Sequence, residues 1–151
     1  MRAVLPSAAG ANAAGLRGPA QSDVDALGAL MYRAYVGTVD YAGETPSDAA
    51  AEVRKTFAGE YGTFDAAHST LAERAGRLAS ATLVTRWRNR PFVAFTMTDP
   101  EFARQGLARA TLERSMRALY RDGERELWLV VTLANAPARR LYESLSFVVE
   151  P

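Results

Sequence analysis

The sequence predicts an α/β (α+β) domain, one mixed sheet with helices on both faces, in the order βααβββαβαβ. Three observations lead there. The segment Pro91 to Thr98 is apolar on both faces, as a strand in the centre of a sheet must be. It is followed by a helical stripe and then by "ELWLVVT", and a strand, helix, strand unit of that length brings parallel neighbours together through a right-handed crossover. Upstream, "HSTLAERAGRLASATLVTRWRNRPFVAFTMT" is divided by turn signals near Gly76 and between Arg88 and Pro91, which makes a three-stranded antiparallel meander.

The remaining elements follow in order. Residues 1–15, "MRAVLPSAAGANAAG", are small and Ala/Gly-rich, too weakly apolar for a secretory signal, and are expected to form a disordered leader before a domain at 16–151. "GLRGPAQ" gives a short first strand. Ser22 caps a helix with Val24, Leu27, Leu30, Met31 and Ala34 on one face, and Gly37 stops it. Thr45, Pro46 and Asp48 open a second helix that runs to about Ala58. A third runs from Gly106 to Arg121 with Ala108, Leu112, Met116 and Leu119 inward; Arg109, Glu113, Arg117 and Arg121 form a solvated, ion-paired face. Asn135 caps the last helix, and "FVVE" is a final strand.

Composition removes several chemistries. The chain of 151 residues suits one domain. It has no cysteine, so disulfides, thiolate metal sites and cysteine nucleophiles are absent. One histidine, His68, excludes paired-histidine metal sites; no metal is expected, and His68 is read as a residue near a strand end without catalytic duty. A net charge of +1, with arginines interleaved among acids, argues against a nucleic-acid partner. No apolar run approaches the length of a membrane span, so a soluble, cytoplasmic protein without a membrane partner is expected. Of the basic residues only Lys55 is lysine, which reads as genome composition.

The loop "PEFARQGLA" leaves the buried central strand and opens directly into a helix. The first turn of a helix offers unpaired N–H groups and partial positive charge, a setting that binds phosphate. Gly106 permits close approach, Ala108 keeps the next turn small, and Arg104 and Arg109 add charge. The alternative reading, a glycine serving only the tight turn, stays open on this feature alone.

"ARQGLARATL" resembles the pyrophosphate loop of the GNAT acetyltransferase superfamily, [QR]-x-x-G-x-[GA], with Ala103 standing where Gln or Arg is usual. About thirty residues on, "NAPARRLYESLSF" resembles the family's N-x-x-A-x-x-L-Y-x-x-x-G-F signature: Asn135, Ala138, Leu141, Tyr142 and Phe147 match, and Ser146 replaces the glycine. The chain is thus similar to bacterial single-domain members over nearly everything after the leader. The resemblance implies a GNAT-like sheet with splayed parallel central strands, Pro91 to Thr98 and Glu126 to Thr132, that bind acetyl-CoA as co-substrate between them. It assigns the cofactor's arm to the backbone of Thr96, Met97 and Thr98, its pyrophosphate to Arg104, Gln105, Gly106, Leu107 and Ala108, a further contact to Asn135, and protonation of the departing thiolate to Tyr142.

The implied reaction is acetyl transfer from acetyl-CoA directly to a primary amine of a small molecule or peptide; the other reading is a catalytically silent acyl-CoA-binding sensor or assembly domain. A homodimer is left open. "FVAFTMT" carries no acid, so the general base falls among Asp40, Glu44, Glu60 and Glu101, or to water. The loop "YVGTVDYAGETPSD" mixes Tyr35 and Tyr41 with Asp40, Glu44 and Asp48; of these, Asp40 and Glu44 are the candidate ligands of a cationic amine with an apolar body.

Overall fold

A computed structural model of the chain describes residues 1–5 and 15–150. Seven strands form one sheet in the order β1-β7-β6-β5-β4-β2, and β3 pairs with β5 off that path. The strands are β1 (Arg2–Val4), β2 (Leu16–Arg17), β3 (Thr63–Phe64), β4 (Thr70–Arg74), β5 (Arg77–Trp87), β6 (Arg90–Thr98) and β7 (Glu126–Leu129). The helices are α1 (Val24–Tyr35), α2 (Pro46–Phe57), α3 (Leu107–Arg121) and α4 (Ala136–Ser144). All strand pairs are antiparallel except β6 with β7, the pair joined by α3. No helix among the described residues is long and apolar enough to cross a membrane.

Both faces of the sheet are covered, which is why β5 is buried along nearly its whole length. On one face, Val24, Leu27, Leu30 and Met31 of α1 and Ala49 and Val53 of α2 pack on Leu71, Leu83 and Met97. The two helices come very close: a Cβ at Gly28 would sit 2.8 Å from Ala50 Cα, so only glycine fits. On the other face, Leu112, Met116 and Leu119 of α3 meet Tyr142, Phe147, Leu127, Leu129 and Val93.

The capping signals at α2 and α4 are realised. Thr45 Oγ1 accepts from Asp48 N–H at 3.1 Å and Asp48 Oδ2 from Thr45 N–H at 2.9 Å; Asn135 Oδ1 accepts from Ala138 N–H at 3.2 Å. The start of α1 differs. A 3-10 turn, Gln21–Asp23, precedes it, and Asp23, not Ser22, closes the entry by accepting from Ala20 N–H at 2.7 Å. Asp23 is also gripped by Arg17 at 2.8 Å, and that bidentate partner outcompetes a local serine cap.

Three other expectations change. Residues 1–5 are ordered where the sequence predicts a disordered segment: β1 pairs with β7, and Ala3 and Leu5 are buried in the α3/α4 core; residues 6–14 lie outside the described residues. "FVVE" contributes only a bridge from Val148 to Arg2, because β1 already occupies the edge of β7. Arg117 is buried beside Glu113, so the charged stripe of α3 is not wholly solvated. Leu5 is 2% exposed, and Leu5→Ala is expected to cost about 2–5 kcal/mol in urea unfolding. An unchanged transition would show that residues 1–5 lie outside the folded core.

Candidate active site

The site begins with a fault in the β5–β6 ladder. Leu83 faces Phe95 and Val84 faces Val93, so β6 carries one extra residue, Ala94. A bulge bends the strand that contains it and increases its twist. The parallel pairing of β6 with β7 consists of Phe92 with Trp128 and Val93 with Leu129, and stops at the bulge. β6 continues to Thr98 against β5, while β7 ends at Leu129 and Val130 to Thr132 run outside the sheet. The strand expected over Glu126 to Thr132 is shorter for that reason. Between the diverging chains lies a gap of about 120 Å³, bordered by Val93 to Thr96 on one side and Leu129 to Thr132 on the other, and closed by Tyr35, Asp40, Asn135, Ala138 and Tyr142.

Along β6 the sequence-predicted residues divide by face. Met97 is buried in the α1/α2 core, leaving only its backbone for a ligand. Thr98 Oγ1 lies 2.9 Å from Ser80 Oγ. Thr96 borders the gap, and its carbonyl accepts a long bond from the Tyr35 hydroxyl, 3.4 Å.

After β6, Asp99 closes a 3-10 turn, Pro100–Phe102, by accepting from Glu101 N–H at 2.9 Å, and pairs with Arg33 at 2.8 Å. Burial would push its carboxyl up, but the Glu101 N–H and the Arg33 and Arg77 guanidiniums outweigh it and hold the pKa below the usual carboxylate value. The chain then passes through two left-handed residues, Arg104 (φ 63°) and Gly106 (φ 75°), into α3. α3 has no side-chain cap at its start. A Cβ built at Gly106 meets nothing within 4 Å, so the glycine answers a backbone demand and leaves open space above the helix end. Arg104 and Gln105 are exposed, Leu107 is buried against Ala72 and Ala79, and Ala108 is half-buried. Arg109 is turned aside, held by Glu113 at 2.8 Å and by Ser144 Oγ at 2.8 Å.

Helix α4 closes the gap. Tyr142 is 8% exposed and its ring lies edge-on to Phe147, with centroids 5.7 Å apart. Burial raises the pKa of its hydroxyl, the nearby Thr96 hydroxyl lowers it in part although the two form no well-shaped hydrogen bond, and the Asp40 carboxylate adds a smaller upward push. Tyr142 therefore keeps its proton at neutral pH. Ser146 takes the left-handed conformation (φ 69°) where the related motif has glycine. Asn135, besides capping α4, donates from Nδ2 to Asp40 Oδ2 at 2.8 Å.

A larger cavity, about 680 Å³, adjoins the gap and shares Tyr35, Asp40, Ala94, Phe95 and Thr132 with it. Tyr32, Tyr41, Glu44, Asp48, Glu52 and Lys55 line the rest. Glu44 Oε2 accepts from Ala42 N–H at 2.9 Å. Glu52 accepts from the Tyr61 hydroxyl at 2.6 Å, which pushes that phenol up to about 12. Asp40 and Glu44 thus come together, while Glu60 is exposed and Glu101 pairs with Arg77, and neither lines a cavity. Glu52, Lys55 and Tyr32 were not legible as lining residues, because only the packing of α2 on α1 turns them inward. His68 stands apart, between Asp65 at 2.7 Å and Asp122 at 2.5 Å.

The fold recurs in known proteins. The chain is 51% identical over 49 residues to the [ribosomal protein bS18]-alanine N-acetyltransferase of Escherichia coli (strain K12), a stretch covering 32% of this chain and 33% of that protein. The solved structure of the ribosomal-protein-S18-alanine N-acetyltransferase from Escherichia coli superposes with a TM-score of 0.69 at 26% identity, over 90% of this chain and 78% of that one. The PaiA N-acetyltransferase of Thermoplasma acidophilum, solved in complex with coenzyme A, shares the fold with a TM-score of 0.71 at 15% identity, over 89% of each chain. The family model described as acetyltransferase (GNAT) matches residues 37–147, from the loop after α1 through Phe147, and the chain belongs to that family.

Proposed function

We propose that the protein transfers the acetyl group of acetyl-CoA to a primary amine of a small molecule or peptide. The observation that carries this reading is the meeting of two cavities: the gap beside Tyr142 opens into the acid-lined cavity, and Asp40 borders both. Family membership and the likeness to N-acetyltransferases support the same reaction.

The residues present suit the co-substrate. The uncapped N-terminus of α3 and the open space over Gly106 fit a pyrophosphate, received by the N–H groups of Leu107 and Ala108 with Arg104 and Gln105 alongside. The side of β6 turned toward β7 lacks a strand partner beyond Val93, so the backbone of Thr96, Met97 and Thr98 is available to amide groups of an extended arm. Bound there, acetyl-CoA supplies an activated acetyl thioester.

The chain's own groups do the rest. Asp40 and Glu44, among tyrosines, draw a cationic amine and hold it at the mouth of the gap. The ammonium group loses one proton to water and attacks as the neutral amine. As the N–C bond forms and the C–S bond breaks, Tyr142 gives its phenolic proton to the departing sulfur, whose free thiol has a pKa of roughly 8.5. Tyr142 regains through water the second proton that the nitrogen sheds. No protein nucleophile is required, in keeping with a chain without cysteine.

The direct test is release of free thiol from acetyl-CoA with spermidine, tyramine, an aminoglycoside and an alanine-initiated peptide as acceptors. Turnover above the water rate is expected with at least one. Tight coenzyme A binding without turnover would support the acyl-CoA-binding sensor instead.

For the cradle, Gly106→Asp is expected to weaken coenzyme A at least about tenfold by calorimetry, while Gly106→Asn weakens it less. Both side chains tolerate the left-handed backbone, but only aspartate repels phosphate. Equal affinities in the two variants would reduce Gly106 to a turn residue. Tyr142→Phe is expected to lower kcat by about tenfold or more, with coenzyme A affinity and melting temperature nearly unchanged because the ring keeps its packing on Phe147. Since the hydroxyl pKa is raised above its ordinary 10, any fall in wild-type kcat caused by loss of this donor should have its midpoint above pH 10. Wild-type turnover in the phenylalanine variant would assign the proton to water.

A further inference from the structure

The loop between α1 and α2 and the N-terminus of α4 are joined by one side-chain hydrogen bond across 95 positions of sequence, from Asn135 Nδ2–H to Asp40 Oδ2 at 2.8 Å. Asn135 is held at both ends, because its Oδ1 caps α4 through Ala138 N–H. Asp40 is held at one end: Oδ1 has no hydrogen-bond partner among the described residues. Of the four carboxylates around the larger cavity, Asp40 alone also borders the gap. The other three are tied locally, Glu44 to Ala42 N–H, Asp48 to Thr45 N–H and Glu52 to the Tyr61 hydroxyl.

We propose that Asn135 is a positioning residue for the acceptor: it fixes Asp40 Oδ2 so that Oδ1 receives an N–H of the acceptor's ammonium group at the mouth of the gap. This rests on the acetyl-transfer reading above. A carboxylate on a surface loop samples several rotamers, and a ligand that depends on it must order it on binding. The bond to a helix cap removes that freedom beforehand. The same helix carries Tyr142, so one rigid element places both the amine anchor and the proton donor, and their separation does not depend on the loop. Asn135 therefore serves the amine side of the gap, with its Oδ1 spent on the α4 cap and one of its two Nδ2–H groups on Asp40.

Asn135→Ser separates this role from capping, because serine caps a helix about as well as asparagine. Asp40→Asn keeps an oxygen for Asn135 and removes the charge. With tyramine, spermidine and the alanine-initiated peptide as probes, both single variants are expected to raise the amine KM by about tenfold or more. Coenzyme A affinity by calorimetry and melting temperature should hold. Because Asn135 acts through Asp40, adding Asn135→Ser to Asp40→Asn should change the amine KM by less than about twofold. A full additional effect in the double variant, an unchanged amine KM in either single variant, or a loss of coenzyme A affinity in Asn135→Ser overturns the assignment. Wild-type protein that releases no thiol with any probe overturns the acetyl-transfer reading, and this role with it; wild-type turnover with unaltered variants overturns this role alone.

Discussion

A single extra residue in one strand sets the arrangement of everything around the site. β6 is bonded to β5 along its full length, from Arg90 opposite Trp87 to Thr98 opposite Ser80. Its bend at Ala94 therefore cannot be taken up on that side, and it is β7 that loses contact. Two residues of parallel pairing survive, anchored by the α3 crossover and by β1 on the far edge of β7. The cost is a stretch of backbone without ladder partners and exposed Val130 and Leu133. The sheet tolerates it because the opening is closed from outside by side chains of α4 and of the α1–α2 loop.

Helix α4 is short, nine residues, and has little helical stability of its own. It is fixed by Pro137 in its first turn, the Asn135 cap, the Arg109 bond to Ser144 and the burial of Tyr142 and Phe147. Two of those contacts also set groups that border the gap. Phe147 sets the plane of the Tyr142 ring, and the cap sets the amide that reaches Asp40. Stability and the geometry of the gap share interactions here, so a substitution that loosens α4 moves Tyr142.

The parts of this architecture that rest on local chemistry were legible in the sequence. Thr45-Pro46-Asp48 and Asn135-Ala136-Pro137 specify helix starts through bonds made within three residues. Gly106 marks a left-handed turn before α3, and the apolar run of β6 marks a central strand. What escaped reading rests on distant partners. The bulge is a property of two strands in register, and Ala94 looks like any small residue in an apolar run. β1 is only three residues long in a small-residue segment and is a strand because Leu127, more than a hundred residues away, pairs with Ala3. Glu52 and Lys55 are ordinary polar positions of an amphipathic helix until α1 packs beside it. The Tyr142 and Asp40 positions were readable from motif and loop composition; the bond that links Asp40 to α4 was not.

A net charge of +1 conceals a strong internal polarity. The exposed Arg104 and the positive end of the α3 dipole lie at one end of β6, while Asp40, Glu44, Asp48 and Glu52 surround the cavity beside its middle. Such a field separates an anionic ligand from a cationic one without a lid, and it is weakened by salt where the groups are exposed. Asp40 has a second electrostatic effect. Its negative charge disfavours ionisation of Tyr142, adding to burial. The Asp40 carboxylate thereby adds a small contribution, behind burial, that favours the protonated phenol. Neutralising Asp40 would remove that contribution, so Asp40 and Tyr142 are linked through charge as well as through the bond that ties Asp40 to the helix carrying Tyr142.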